Sequence, residues 1–297
     1  MAFALAPDTP PDAALRQIVA ECQADLLKYR DVVLGSRRPI GIHQSRVALR
    51  RLRAALGLFR DVVPGPIEQR LVRAMAAEAK WLAGECGPAR DLHVFLTESV
   101  DDPPAEVKRV AGRLAHSHFE RARAALSGAR FAAFAEQVEA FVESKPTGGG
   151  RLDDFGRARL EKRHARVEHL GRKLASLGEE RLHRLRIAVK KLRYAAEFLQ
   201  AAFSGPGFDS ARAKAYIEAT VRLQGALGAL NDRAVAARML ADIADAARPT
   251  EHIGRALRKL GKQAASGDKR RRRKLERAWK AFRKTERFWL QPPSTTE

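Results

Sequence analysis

Hydrophobic residues recur every three or four positions along almost the whole chain, which is the spacing of one face of an α-helix. No segment shows the alternation of apolar and polar residues that marks a half-buried β-strand. Glycine, proline and small residues interrupt the helical pattern at Pro64–Pro66, Gly87–Pro88, Ser127–Gly128, Gly205–Gly207 and Ala226–Gly228. The pattern predicts an all-α protein with about ten to twelve helices.

Two short signatures occur once in each half of the chain. The first spans Ile42–Arg53 and returns 140 residues later at Leu182–Arg193, and the second spans Leu82–Asp91 and returns at Leu223–Asp232. Because they repeat in the same order, we predict an internal duplication, with two helical bundles related by a pseudo-two-fold axis. The predicted division is a flexible tail at 1–11, a first repeat at 12–144, a linker at 145–150, a second repeat at 151–290 and a flexible tail at 291–297.

The net charge indicates that this helical protein binds an anionic partner. The 297 residues include 56 Lys and Arg against 35 Asp and Glu, for a formal net charge of +21. Such an excess favours a polyanionic partner, which could be nucleic acid, an acidic membrane surface or a phosphate polymer. The two cysteines, Cys22 and Cys86, are far apart and typical of reduced thiols. With no signal peptide and no apolar run of membrane-spanning length, the sequence predicts a soluble cytoplasmic protein.

The positive charges form a row on one helix in each half, beside the apolar stripe that faces the core. The rows are His43, Arg46, Arg50, Arg53 and Arg60 in the first half, and His183, Arg186, Lys190 and Arg193 in the second. Arg51 and Lys191, which lie on a different flank, and Arg90, in the second signature, are secondary candidates.

The absence of acids along these helices favours ligand binding over a merely solvated face. Residues 42–60 include five Arg and no acid, and residues 181–196 include six basic residues and no acid. A solvated face normally mixes signs, because opposite charges four residues apart stabilise a helix by about 0.2–0.5 kcal/mol and like charges cost a similar amount. The row from His43 to Arg53 covers about 15 Å, which suits an extended chain of phosphates. We expect such a ligand to raise the pKa of His43 and His183.

The sequences H-Q-S-R-V-A-L-R-R-L-R at His43–Arg53 and H-R-L-R-I-A-V-K-K-L-R-Y at His183–Tyr194 resemble the two signature helices of the CHAD (conserved histidine α-helical domain) family. Gly84–Asp91 and Gly225–Asp232 resemble its companion motif. The resemblance covers roughly residues 12–290. It implies two helical bundles and a basic surface that binds inorganic polyphosphate, in some members at cytoplasmic polyphosphate granules. It also implies that these residues supply the ligand contacts: His43, Arg46, Arg50, Arg53, His183, Arg186, Lys190 and Arg193. The E-x-E-x-K motif of the catalytic module that accompanies some members is absent.

Other candidate sites are weaker. Gly84, Gly87, Gly225 and Gly228 lack the spacing of a phosphate loop and are predicted to allow close helix packing. Asp91 and Asp232 are predicted to cap a helix or orient an arginine. The histidine pairs His116/His118 and His164/His169 are poorly spaced for a shared metal ion. The sequence therefore predicts no catalytic residue, no metal site and no cofactor.

The segment Arg255–Arg287 is strongly basic, with 15 Lys and Arg against three acids, and aromatic residues are interleaved in and after it. These aromatics are Trp279, Phe282, Phe288 and Trp289. They could stack on single-stranded nucleic acid, or they could dock a terminal helix onto the bundle while the basic residues stay exposed. We favour docking, with the basic residues adding affinity for any polyanion.

The sequence thus predicts a non-enzymatic protein that binds inorganic polyphosphate, associated with cytoplasmic granules. A nucleic-acid-binding, nucleoid-associated protein is the alternative, and an enzyme that processes phosphate chains is a weaker one.

Overall fold

Helices account for every regular element in the part of the chain that the structure describes, so the all-α prediction is confirmed. The computed structural model describes the backbone of residues 5–203, 209–248 and 250–290, and their side chains except those of 231–233 and 265. The helices are α1 (Pro11–Gly35), α2 (Pro39–Leu58), α3 (Pro66–Glu85), α4 (Gly87–Val94), α5 (Ala105–Ser127), α6 (Ala129–Glu143), α7 (Leu152–Gly171), α8 (Glu179–Leu199), α9 (Ser210–Ala246), α10 (Glu251–Ala265) and α11 (Asp268–Lys284). A π-helical turn at Phe95–Ser99 follows α4, and short 3₁₀ turns lie at Leu174–Ser176, Gln200–Phe203 and Phe288–Leu290.

The helix starts follow from local chemistry. Proline occupies the first turn of α1, α2, α3 and α4, where its missing N–H costs no intrahelical hydrogen bond. Asp209 begins α9 by accepting a hydrogen bond from the backbone N–H of Ala211 at 2.8 Å, and Thr250 begins α10 by accepting one from Ile253 at 3.2 Å. Gly267, at a φ of 82°, makes the left-handed turn between α10 and α11.

The predicted break at Ala226–Gly228 is wrong, because α9 runs without interruption through these residues. The matching segment in the first half does break, between α3 and α4, and it contains Pro88, where the second half has Ala229. Proline removes a backbone donor and ends the preceding helix. Gly225 and Gly228 keep their N–H groups, and the buried side chains of Leu223 and Leu227 hold this part of α9 against the core.

The buried side chains form two clusters, and each draws on both sides of the predicted linker. The larger cluster includes Leu49 of α2, Leu185 of α8 and Phe282 of α11. The smaller one joins Phe95 after α4 to Met239 of α9 and residues of α5 and α10. Helix α2 packs against α1, α3 and α8, so it lies where the two halves meet. The internal duplication itself stays a prediction.

Part of the predicted N-terminal tail is packed. Leu5 is buried, and the Pro7 carbonyl accepts hydrogen bonds from the N–H groups of Leu152 and Asp153 at 3.0 and 3.2 Å. The segment 5–10 is therefore held against the start of α7. The predicted tail at 291–297 lies outside the described residues.

The segment predicted as a linker is also tied down, through Asp12 of α1. The carboxylate of Asp12 is buried, and its Oδ2 accepts hydrogen bonds from the N–H groups of Thr147 and Gly148, each at 2.8 Å. Arg16 lies 3.6 Å from the same oxygen. These contacts fix the path of the chain from α6 to α7 along the first turn of α1.

The C-terminal aromatic residues dock onto the bundle, as the favoured interpretation predicted. Phe282, Phe288 and Trp289 are buried, and the indole N–H of Trp289 donates to Glu161 Oε2 at 3.0 Å. Trp279 packs partly buried against the larger cluster. None of the described helices is long and apolar enough to cross a membrane.

Gly171 gives a test of this docking. A Cβ atom added at Gly171 would overlap Cη2 of Trp279, so Gly171→Ala should displace the indole and lower the free energy of unfolding by about 1–3 kcal/mol. Gly225→Ala is the matched control, because a Cβ there meets nothing within 4 Å, and it should stabilise the helix by about 0.5–1 kcal/mol. Urea denaturation of both variants measures the difference, and equal effects would contradict the docking of Trp279 over Gly171.

Candidate polyanion-binding site

The two predicted basic rows converge, because α2 packs directly against α8. Arg46 and Arg50 of α2 lie close enough to Lys190 of α8 for their charges to act on its ammonium group, as do Arg186 and Arg193 of α8 itself. We call the six residues His43, Arg46, Arg50, Arg186, Lys190 and Arg193 the basic cluster. It contains side chains from both copies of the first signature on one surface, and not on opposite sides of the molecule.

Lys190 lies at the centre of the basic cluster. Its side chain is partly buried, and that burial is the largest cause of a pKa lowered from 10.5 to about 8. The charges of Arg186, Arg50, Arg193 and Arg46 lower the pKa further, in that order. Within the described part of the chain, Lys190, Arg50 and Arg186 make no ion pair with a carboxylate. The centre of the cluster is thus a concentration of positive charge that no carboxylate of the described side chains compensates.

His43 extends the basic cluster toward α4. Burial lowers its pKa first, and the nearby charges of Arg90, Arg50 and Arg46 lower it further. Arg90, a secondary candidate from the sequence, therefore belongs beside His43. Its guanidinium group lies 3.6 Å from Glu98, whose charge partly opposes the effect on His43.

Arg46 is held in place by the junction of α3 and α4. Its Nη1 donates to the carbonyl of Ala83 at 2.7 Å, and its Nη2 lies 3.8 Å from the carboxylate of Asp91. A Cβ added at Gly87 would lie 2.9 Å from Arg46 Nη1, so glycine at this position lets the guanidinium group lie there without a shift. The other oxygen of Asp91 accepts a hydrogen bond from Arg238 of α9 at 2.9 Å. The companion signature thus positions an arginine of the first row.

Two carboxylates from outside the acid-free segments lie at the opposite end of the cluster. Arg193 Nε lies 3.1 Å from Glu197, and Arg51 lies 3.9 Å from Asp25 of α1. Burial raises the pKa of Glu197, and the charges of Arg193 and Arg51 oppose that rise. Glu197 stands four residues after Arg193, just beyond the acid-free segment. The spacing of this ion pair was therefore visible in the sequence.

The structure does not place every predicted residue in the basic cluster. Helix α2 ends at Leu58, so Arg60 does not continue the helical row. Its Nε instead donates a hydrogen bond to Asp61 Oδ1 at 3.3 Å. Arg53, His183 and Lys191 are exposed. The Lys191 side chain lines a separate cleft of about 230 Å³ between α7 and α8, so its flank differs from that of Lys190, as the sequence predicted.

The glycines of the companion signatures differ from the expected packing role. A Cβ at Gly84, Gly225 or Gly228 would meet nothing within 4 Å, so no close helix contact requires glycine at these positions. Only Gly87 makes a close approach, to the Arg46 side chain. The side chain of Asp232 lies outside the described residues.

The remaining chemistry-bearing side chains lie in the core or apart from one another. His164 is buried, and its Nδ1 lies 2.8 Å from the hydroxyl of Tyr216. Burial lowers the pKa of His164 and raises the pKa of Tyr216. Among the residues with described side chains, no group of three His, Cys, Asp or Glu could hold a metal ion.

Comparisons with known proteins identify the family and the fold. A family model described as the CHAD domain matches residues 17–241. The crystal structure of a CHAD domain from the plant Ricinus communis is similar, with a TM-score of 0.82, 26% sequence identity and 96% of each chain covered. PptA from Streptomyces chartreusis shares the fold, with a TM-score of 0.61 and 18% identity over 95% of this chain and 100% of that one. A comparison with curated proteins found no match.

The repulsion around Lys190 predicts a gain in stability when its charge is removed. Lys190→Met should raise the free energy of unfolding at pH 7 by about 1–2 kcal/mol, after allowance for solvent screening. Since the folded protein lowers the lysine pKa to about 8, the unfolded chain binds the proton more tightly. The cost of the charge is therefore fully present below about pH 8 and fades as the pH rises toward the ordinary value of 10.5.

Lys191→Met is the matched control, since Lys191 is exposed on the neighbouring position of the same helix. Its effect on the free energy of unfolding should stay within about 0.5 kcal/mol at either pH. Denaturation at pH 7 and pH 10 checks both variants. A gain from Lys190→Met that is as large at pH 10 as at pH 7 would contradict an electrostatic origin.

Proposed function

The chain belongs to the CHAD domain family, and on that premise we propose that its basic cluster binds inorganic polyphosphate. The observation that carries the proposal is the setting of Lys190, whose ammonium group lies among four arginines from two helices with no carboxylate partner among the described residues. A group of cations that repel one another is stabilised when an anion with closely spaced charges binds between them.

The cluster's chemistry favours phosphate groups in a chain. Arginine presents a planar fork of donors that matches two phosphate oxygens, and lysine adds a compact charge. Arg46 Nε is buried without a hydrogen-bond partner among the described residues, so the guanidinium group keeps an unsatisfied donor beside the cluster. Because the cations come from two adjacent helices, one anion that extends over both would contact more of them than a single phosphate could.

Nucleic acid is the second candidate, and the aromatic residues argue against it. Binding of single strands generally uses exposed aromatic rings on which bases stack. Phe59 and Tyr194, the aromatics nearest the two rows, are buried, as are Phe282, Phe288 and Trp289 near the C-terminus. The basic cluster therefore offers charge without a stacking platform.

Competition for the protein tests the choice between these ligands. Long-chain polyphosphate should displace a fluorescent single-stranded DNA of equal total charge at 150 mM salt, whereas the DNA should displace labelled polyphosphate poorly. Fluorescence anisotropy measures both directions. Preferential binding of DNA would establish the alternative function.

We also propose that binding leaves the polyphosphate chain intact and that the protein associates with cytoplasmic polyphosphate granules. Incubation with polyphosphate and Mg²⁺ or Mn²⁺ should release no inorganic phosphate above the background of a Lys190→Glu variant. Microscopy of the tagged protein in phosphate-rich cells tests the location. Phosphate release that His43→Ala abolishes would instead show an enzyme.

The salt dependence of binding locates the site. Arg50→Gln combined with Lys190→Gln should reduce the slope of log affinity against log salt by about 1.4, because each phosphate contact contributes about 0.7. Affinity at 150 mM salt should fall at least about tenfold. Isothermal titration calorimetry at several salt concentrations measures both quantities.

Arg272→Gln combined with Arg277→Gln is the control, since it removes the same charge from exposed positions of α11. Its slope should stay close to that of the wild type. If the control loses as much slope as the cluster variant, the C-terminal basic segment is the binding surface and the proposed site is wrong.

The pKa of His43 should change when polyphosphate binds. Burial and the charges of Arg90, Arg50 and Arg46 lower its pKa in the free protein, and a polyanion beside it would raise that pKa. The complex then holds a proton that the free protein lacks, so affinity should rise as the pH falls from about 7.5 to 5.5. NMR titration with and without polyphosphate measures the change, with His43→Gln to assign the signal. An unchanged pKa would place the ligand elsewhere.

A further inference from the structure

We propose that the cleft between α7 and α8 is a second binding site, which takes small organic anions whose apolar part is about the size of an aromatic ring. The cleft has a volume of about 230 Å³ and is lined by four cationic and three apolar side chains. It lies on the flank of α8 that carries Lys191, and not on the flank that contributes Lys190 to the basic cluster. The proposal therefore does not depend on the binding of polyphosphate.

The apolar part of the cleft is formed by Leu170 of α7 and by Ile187 and Ala188 of α8. Ile187 and Ala188 lie three and four residues after Arg184, so all three share one side of α8. Ile187 is 41% exposed, although it is a large apolar side chain in the middle of a packed helix. A ligand that covers Ile187 would remove this surface from water, and the stabilisation grows with the apolar area buried.

The four cations of the cleft are Arg163 and Arg166 of α7 and Arg184 and Lys191 of α8. The guanidinium group of Arg163 donates a hydrogen bond to the backbone carbonyl of Lys191 at 2.5 Å, which holds it at one end of the cleft. No acid is among the described side chains that line the cleft. Arg184 pairs with the exposed Glu180 at 3.8 Å, and the other three cations have no carboxylate partner in the part of the chain that the structure describes. The cleft thus combines an apolar surface with positive charge that is mostly unpaired.

Arg163 has the position that best suits the charged group of a ligand. Its side chain is partly buried, and that burial, followed by the charge of Arg159, lowers its pKa to about 10. Arg159 itself lies 3.0 Å from the carboxylate of Asp61, whereas Arg163 lacks such a partner among the described residues. The Lys191 carbonyl uses a single donor of the Arg163 guanidinium group, so other donors remain for a carboxylate.

The volume of the cleft limits the size of the ligand. A protein cavity of about 150 Å³ holds one benzene ring, so a cleft of about 230 Å³ has room for a ring with a carboxylate attached. A ligand of this size, with roughly nine non-hydrogen atoms, is expected to bind with a dissociation constant of about 1 mM. Inorganic polyphosphate does not match the cleft, because it has no apolar part to cover Ile187.

The test titrates benzoate into the full-length protein and follows isoleucine methyl groups by NMR. The signal of Ile187, assigned with Ile187→Val, should shift and saturate with a dissociation constant of about 1 mM. Acetate has the charge without the ring, and benzyl alcohol has the ring without the charge, so each should bind at least about tenfold more weakly. An Ile187 signal that does not move up to about 20 mM benzoate would overturn the proposal. So would equal affinity for benzoate and either of the other two compounds.

Removal of charge from the cleft tests the role of its cations. Arg166→Gln combined with Lys191→Gln should weaken benzoate binding by about fivefold, and the fold should tolerate both changes because the two side chains are exposed. Arg272→Gln combined with Arg277→Gln is the matched control, since it removes the same charge from exposed positions of α11. The control should change the affinity by less than about twofold. Equal losses in the two variants would show that net charge, and not the cleft, attracts benzoate.

Tripolyphosphate separates this site from the proposed function. When it is added at a concentration that saturates the basic cluster, the affinity for benzoate should change by less than about twofold, because the cluster lies on the other flank of α8. Displacement of benzoate would make the cleft part of one continuous surface for polyanions and would refute a separate site. If tripolyphosphate does not bind at all, the proposed function fails, whereas the benzoate titration stands on its own.

Discussion

The contact between α2 and α8 forces like charges together, and the basic cluster is organised around that repulsion. The apolar stripes of the two helices, with Leu49 and Leu52 on one and Leu185 and Val189 on the other, are completely buried. Burial of each such side chain stabilises the fold by about 1.5–3 kcal/mol, which is enough to hold cations together that would otherwise separate. The hydrophobic effect depends on the apolar area buried and not on direction. The apolar faces of α2 and α8 can therefore stay packed although like charges lie beside them.

Carboxylates reduce the electrostatic repulsion at the two ends of the cluster but, among the described side chains, not at its centre. Asp91 and Glu197 accompany Arg46 and Arg193, so the outer arginines are oriented and partly neutralised. Lys190 and Arg50, between them, have no such partner among the described residues. An arrangement of fixed outer cations around an uncompensated centre is preorganised for an anion, because the cost of assembling the charges is met during folding and not during binding.

The C-terminal segment separates charge from apolar surface in a different way. Its aromatic residues pack against α7 and α9, and most of its basic residues on α11 are exposed. The exposed charge raises the positive potential of the whole molecule, which speeds the approach of any polyanion but selects none. In the proposed function, selection of the polyanion rests on the basic cluster, where geometry and burial act on the same few groups.

The sequence alone determined the helical class, both basic rows and the flank on which Lys191 differs from Lys190, because these depend on periodicities within single helices. The difference between Pro88 and Ala229 is also a property of the sequence, and it explains why only the first half breaks at the companion signature. Only the tertiary structure decided that Arg46 meets Gly87 and Asp91, that Arg60 lies outside the cluster, and that α2 brings its arginines to Lys190. These facts depend on how helices far apart in the sequence pack, and helical periodicity specifies which face is buried but not which partner covers it.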